Sequence, residues 1–273
     1  MSATVWFERP RDAVSVVGPD AEAYLHGQVS QDVKALAADG TPAWTFVLEP
    51  TGKLGVLARI RRVEGGFLLD TDPGSGDALL ARLRRFKIRV KADIDPVPVR
   101  FVAVRDAEHG FADPGSDLLV TTHDDDQAPA GAVPIDAVPI DAAAFERLRI
   151  ESGWPKMGAE LVDGTIPAET GVVTFAASFT KGCYTGQELV ERMDSRQAAA
   201  PHVIRRLRAP AGVAVAAEAE VVVDGAVVGR VTSSAGDVAL ASMLRRAADA
   251  GTADVAGPDG LVTTVSVEAV DHA

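Results

Sequence analysis

Cysteine is almost missing: the chain of 273 residues has one, Cys183. That excludes an internal disulfide framework. It also excludes an iron–sulfur cluster held by the chain's own thiolates, which takes four of them or their substitutes. Iron at Cys183 would need its other ligands from another chain or a small molecule. Basic residues are in deficit, with 27 Lys and Arg against 39 Asp and Glu and a formal charge of -12. Such a balance disfavours direct nucleic-acid binding as the main role, because backbone recognition rests on a surplus of cations. No apolar run approaches the length of a bilayer span, so no membrane partner is expected. The first ten residues, with Glu8 and Arg9, lack a signal-peptide core, and the expected compartment is the cytoplasm.

Common cofactor signatures are absent as well. No GxGxxG follows a strand and no GxxxxGK[ST] occurs, which argues against dinucleotide and P-loop chemistry. His26, His109, His123, His202 and His272 are scattered without ligand spacing, so no metal is expected. Three adjacent carboxylates, Asp124, Asp125 and Asp126, do not converge on one face and do not alter that. A cysteine hydrolase would need a histidine base, and nothing in the sequence pairs His26 or His202 with Cys183.

What is present is a patterned chain of the α+β class, long enough for two or three small cores. Val14–Val17 reads as a strand leading into a helix with Tyr24 and Leu25 that ends near Gly27. Extended runs at Phe46–Leu48 and Leu54–Ile60 flank the turn Glu49-Pro50-Thr51-Gly52-Lys53, and Phe67–Leu69 supplies a third strand. Leu79, Leu80, Leu83 and Phe86 mark a helix face. Alternation at Ile88, Val90, Ala92 and Ile94 predicts a half-buried strand, and Val97–Val104 another. The basic window Arg82, Arg84, Arg85, Lys87, Arg89 and Lys91 reads as a solvated face, with an anion site as the alternative. From Asp106 to about Ala142 the composition predicts an acidic loop and an irregular connection. Asp141 is a suitable N-cap for a helix ending at Gly153-Trp154-Pro155. Ala198–Pro201 reads as a connector to an all-β barrel whose clearest signal is the hairpin dipeptide Asp224-Gly225.

The chemistry concentrates in Lys181-Gly182-Cys183-Tyr184-Thr185-Gly186-Gln187-Glu188. Lys181 lies two residues before the thiol, and Leu189, Val190 and Met193 predict a helix opening near Gly186; both features favour a thiolate. An inert cysteine on a glycine-punctuated turn is the other reading of these residue types.

This octet resembles the signature of the YgfZ family, folate-binding proteins related to the T-protein (aminomethyltransferase) of the glycine cleavage system. Further likeness runs through Val17–Ala21, Leu25–Gln28 with Asp32, Leu48–Ile60, Arg147–Gly171 and Gly229–Ser234. The resemblance implies a three-domain cloverleaf around a central channel that holds tetrahydrofolate or a derivative. Its expected divisions are 1–105, a folate-binding α+β subdomain completed by part of a later segment; 106–200, an α+β subdomain carrying the octet; and 201–273, the antiparallel barrel. It implies a role beside iron–sulfur client or assembly proteins, including tRNA-modifying ones, as an accessory factor more than a turnover enzyme. Cys183 and Lys181 would carry the chemistry, with Gly182, Tyr184, Gly186, Gln187 and Glu188 shaping the loop. Folate contacts would come from Glu151, Arg149, Gln28 and Asp32, Glu151 accepting the pterin N–H donors; a capping role for Asp32 is equally open. Two departures stand out: Gly52–Ala58 holds no carboxylate where the aminomethyltransferase has a paired aspartate, and Arg196 is followed by Gln197 where an Arg-Gly pair is usual. A folate one-carbon transferase or demethylase and a non-catalytic docking module remain as alternatives.

Overall fold

In the computed structural model the described residues are 3–106, 108–120, 133–195, 200–257, 259–270 and 272, with side chains described up to 192 in the helix that ends at 195. The chain runs through β1 (Val5–Arg9), β2 (Asp12–Val17), α1 (Ala21–His26), β3 (Ala43–Leu48), β4 (Leu54–Val63), β5 (Gly66–Thr71), α2 (Gly76–Arg85), β6 (Asp93–Pro96), β7 (Arg100–Arg105), β8 (Asp117–Val120) and β9 (Val138–Pro139). It continues through α3 (Ala142–Glu151), α4 (Val173–Ala176) and α5 (Gln187–Ser195) into β10 (His202–Arg208), β11 (Glu220–Val223), β12 (Ala226–Ala235), β13 (Val238–Leu244), β14 (Thr252–Ala256) and β15 (Val262–Ala269).

The molecule divides into two compact units: Met1–Ile140 with Val173–Arg192, and Asp141–Val172 with Met193–Ala273. The octet therefore belongs to the first unit, returned to it by a segment that follows a long excursion into the second.

The first unit holds a five-stranded sheet, β3-β4-β5-β2-β6, and a four-stranded sheet, β8-β7-β1-β9. On one face of the larger sheet Val14, Val16, Val56, Ile60, Phe67 and Leu69 join Tyr24 and Leu25 of α1 and Leu79 and Leu83 of α2 in an apolar core. The opposite side of β4 and β5 carries charge instead of water-facing residues. Arg59 stands opposite Asp70 in the hairpin register and pairs with it at 2.6 Å, and it reaches Asp117 of β8 at 2.6 Å. Arg9 and Arg11 pair with Asp117 and Asp70 at 2.6 and 2.7 Å. A buried ion-pair layer thus links strands of the two sheets.

In the second unit β10-β13-β12-β11-β14-β15 close a barrel with antiparallel pairings throughout, filled by Leu207, Val221, Val231, Met243, Val255 and Val265 among others. Asp224 and Gly225 have φ of 51° and 75°, the left-handed pair that a two-residue hairpin requires. Asp141 caps α3 as expected, its carboxylate accepting from the Ala144 N–H at 2.8 Å.

Three expectations need correction. The strand predicted from Ile88 begins only at Asp93: Arg89 adopts φ 58°, which breaks an extended run, and the Lys91 N–H is taken by the Asp20 carboxylate at 2.7 Å. The second correction concerns Arg82, which is not on a solvated face. It is 4% exposed and donates from Nε to the Leu48 carbonyl at 2.7 Å. Third, the segment after Asp106 is not wholly irregular, since β8 and β9 extend the smaller sheet. The Asp124–Asp126 triplet, Arg196-Gln197 and, in the Ala198–Pro201 connector, Ala198 and Ala199 lie outside the described residues.

Candidate functional site

The octet is held against the chain that leaves α1. Five of the six carbonyls from His26 to Gln31 accept hydrogen bonds from residues 178–185. Gly27 O takes the Thr185 N–H at 3.1 Å, and Ser30 O takes the Ser178 N–H at 3.0 Å. Three accept from a single group, the Lys181 ammonium: His26 O, Val29 O at 2.8 Å and Gln31 O at 3.0 Å. An ammonium has three N–H donors, and here each has an acceptor. The Nζ also lies 5.0 Å from the centre of the Tyr184 ring. Burial lowers the Lys181 pKa to about 8, with Asp32 opposing the shift and Lys34 adding to it, so the group is still an ammonium at neutral pH.

Glycine at 186 answers a close approach. With φ 82°, a Cβ there would stand 2.6 Å from Glu49 O, 2.9 Å from Leu48 Cβ and 3.3 Å from the Cα of Gly52 in the β3–β4 hairpin. At Gly182 a Cβ would meet nothing within 4 Å. Gln187 closes the turn, its side-chain oxygen accepting from the Tyr184 N–H at 2.7 Å while its amide donates to Glu191 at 2.8 Å. Tyr184 is buried, and its phenol is pushed up to about 12 by burial and by Glu191. Glu188 projects to solvent and pairs with Arg192 along α5. Cys183 is exposed, and it precedes the first residue of α5 by four positions. The helix therefore opens where the spacing predicts, but the thiol is outside its first turn, where the dipole acts.

Gln28 and Asp32 sit on the clamped segment. The Gln28 side-chain oxygen accepts from Arg82 Nη1 at 3.2 Å and from the Thr185 hydroxyl at 3.5 Å. Both bonds engage the oxygen, and the NH2 end has no hydrogen-bond partner among the described residues. Asp32 caps the 3-10 turn at Val33–Ala35, accepting from the Lys34 and Ala35 N–H groups, and lies 3.5 Å from His26 Nδ1. His26 is held below the ordinary histidine range by burial and by Lys181.

Arg149 and Glu151 lie in the second unit, at the end of α3. All five N–H donors of the buried Arg149 guanidinium are used: on Glu146 Oε2 and Oε1 at 3.1 and 2.8 Å, Ser233 Oγ at 2.7 Å, Glu160 Oε2 at 2.9 Å and the Trp154 carbonyl. Glu160, itself buried, also accepts from the Thr232 hydroxyl at 2.7 Å and the Lys156 N–H at 3.1 Å. Glu151 is part-exposed and pairs with Arg208 at 2.6 Å and Arg147 at 3.2 Å. Arg82, Glu160 and Arg208 were not singled out from the sequence as site neighbours. Arg82 was marked only as part of a basic window, and the groups Gln28, Thr232 and Glu151 that Arg82, Glu160 and Arg208 respectively meet are 54, 72 and 57 positions away. Among the described residues no group of three or more His, Cys, Asp and Glu is placed to hold a metal ion, and no helix is long and apolar enough to cross a membrane.

No family model matches the chain. It is 30% identical over 192 residues to an uncharacterized protein of Haemophilus influenzae, covering 68% of this chain and 66% of the relative. Over 212 residues it is 27% identical to the iron–sulfur cluster assembly factor IBA57 homolog, mitochondrial, of Pyricularia oryzae, covering 69% of this chain and 53% of that one. Over 214 residues it is 29% identical to the tRNA-modifying protein YgfZ of Klebsiella pneumoniae, covering 67% and 65%. The matched region thus spans between about half and two thirds of the length of these curated relatives. The crystal structure of the glycine cleavage system aminomethyltransferase T from Bartonella henselae superposes with a TM-score of 0.77 at 16% identity, over 99% of this chain and 86% of that one, and so shares its fold. An octet clamped beside an exposed thiol, the mixed sheets with a closed barrel, and this set of relatives together support the assignment of the chain to the YgfZ family, on the fold of the glycine-cleavage T-protein.

Proposed function

We propose that the protein is a folate-binding accessory factor for the assembly, maintenance or repair of iron–sulfur proteins, tRNA-modifying ones among them, and that it acts through Cys183. One observation carries this reading: the polar groups of Lys181, Thr185 and Gln187 are spent on fixing the loop, and the thiol is left exposed at its tip. A thiol held in this way suits transient coordination of the iron of a client's cluster, the thiol giving up its proton as it becomes the ligand. The names of two relatives, a tRNA-modifying protein and an iron–sulfur cluster assembly factor, support the same direction.

Aminomethyl transfer is the weaker alternative for this chain. Gly52–Ala58 carries no carboxylate, and Leu54, Val56, Leu57 and Ala58 are buried in the hairpin, so the stretch offers no carboxylate to a folate nitrogen. Two side chains, one in each unit and each taken by itself, carry a donor or an acceptor of the kind a pterin calls for. Arg82 and Thr185 present the Gln28 amide as a donor for a ring nitrogen or oxo acceptor such as a pterin carries. Glu151 is the proposed acceptor for pterin N–H groups, and Arg147 and Arg208 steady its carboxylate. Arg149 has no donor to spare, so its role in the proposal is to fix the end of α3. Asp32 caps the loop that carries Gln28. Tetrahydrofolate, when bound, supplies nitrogens that carry one-carbon units. The proposed setting is the cytoplasm, whose reducing poise keeps the one thiol free.

Calorimetric titration with tetrahydrofolate and its 5-formyl form tests the proposal. We expect binding by the wild-type chain and by Cys183→Ala, and at least about a tenfold loss in Glu151→Ala. Absence of binding to the wild-type chain would remove folate from the account.

A further inference from the structure

We infer that Lys181 is a positioning residue: its ammonium is the tethered cation of a carbonyl cage formed by residues 26–31, and it locates Cys183 through hydrogen bonds instead of ionising the thiol through charge. This rests on the reading that Cys183 is the acting residue.

The cage is built from backbone. His26 is the last residue of α1, and its carbonyl is one of those that a helix end leaves without an intrahelical partner. Lys181 takes that carbonyl together with Val29 O and Gln31 O, so one cation draws three points of a six-residue stretch onto the root of the octet. Thr185 N–H on Gly27 O and Ser178 N–H on Ser30 O bracket it on either side. Removing the ammonium leaves three carbonyls facing a space shaped for an N–H donor, and nothing else in the 178–185 segment replaces it.

Charge is poorly directed toward the thiol in this arrangement. Three carbonyl dipoles point their negative ends at Nζ and oppose its field, whereas Cys183 is exposed to water, which screens what remains. Hydrogen-bond directionality is what the cage uses. A free ammonium that can donate should therefore replace the lost side chain, and a cation without N–H should not.

The experiment is chemical rescue of Lys181→Ala, whose truncation leaves room for the three carbons and nitrogen of propylammonium. The two readouts are the rate at which iodoacetamide alkylates Cys183 and the amide hydrogen exchange of residues 27–31. Both should rise about tenfold or more in the variant and return to within about twofold of wild type in propylammonium. Tetramethylammonium, with equal charge and no donor, should leave them raised, and the pH profile of alkylation should keep the same midpoint in both chains. Equal rescue by tetramethylammonium, or a midpoint moved up by about one unit with loop exchange unchanged, would overturn the inference in favour of charge activation. If Lys181→Ala fails to fold alone, refolding decides: recovery in propylammonium only supports the cage, and recovery in both salts or in neither contradicts it. Neither readout uses folate or a client protein, so failure here is separate from failure of the proposed function.

Discussion

Lys181 and Arg149 stand in the two units of the molecule, each two residues from the group that the proposed function uses, Cys183 or Glu151. Both cations are saturated, but by different chemistry. Lys181 faces three backbone carbonyls, which belong to no particular side chain. Arg149 faces two carboxylates, a hydroxyl and a carbonyl, a set in which Glu160 is wholly buried. A carbonyl cage leaves polar but neutral groups when its cation is lost, whereas a carboxylate cage leaves a buried charge. The first should be a local matter and the second a matter of folding.

The largest effect is expected at Arg149. Changing it to Met strands Glu160 and should cost about 3–5 kcal/mol in the denaturation of the second unit, against about 1 kcal/mol or less for Glu151→Gln at the part-exposed pair beside it. Equal losses in the two variants would erase the distinction. Next comes the packing under the octet. Gly186→Ala must adopt φ 82° and meet Glu49 O at 2.6 Å, and about 1–3 kcal/mol should be lost, whereas Gly182→Ala, with open space, should be neutral within about 0.5 kcal/mol by chemical denaturation. The smallest effect is a pH dependence. Burial and Lys181 lower the folded pKa of His26, so below about 6.5 the unfolded chain takes up a proton that the folded chain resists. Stability is then complete above that pH and falls as the pH drops toward the folded value. Thermal melts between pH 7.5 and 5.5 should show the decline, and His26→Gln should flatten it.

Much of the frame was legible because local physics fixed it. The Asp224-Gly225 hairpin, the Asp141 cap and the helix opening after Gly186 each rest on a few adjacent residues. The run from Ile88 misled because its alternation was taken for a pleat, whereas Ile88 is exposed and Asp20, seventy-one positions earlier, binds Lys91 N–H. Arg59 and Asp70 look like the solvent side of strands until a second sheet covers them. At the site, the octet announced itself, but the use of Lys181 did not: its acceptors are carbonyls, which every residue has. Arg149 was hidden for the complementary reason, its partners being spread from Glu146 to Ser233.

The most direct test of the account is made in cells lacking the protein and complemented with wild-type or Cys183→Ser chains. The quantity to measure is the activity of an iron–sulfur tRNA-modifying enzyme per unit of that enzyme's protein. The account predicts recovery with wild type and little with the serine variant, whose fold and folate affinity stay intact because the thiol is exposed and outside the hydrogen bonds that hold the loop. Full recovery with Cys183→Ser would contradict it.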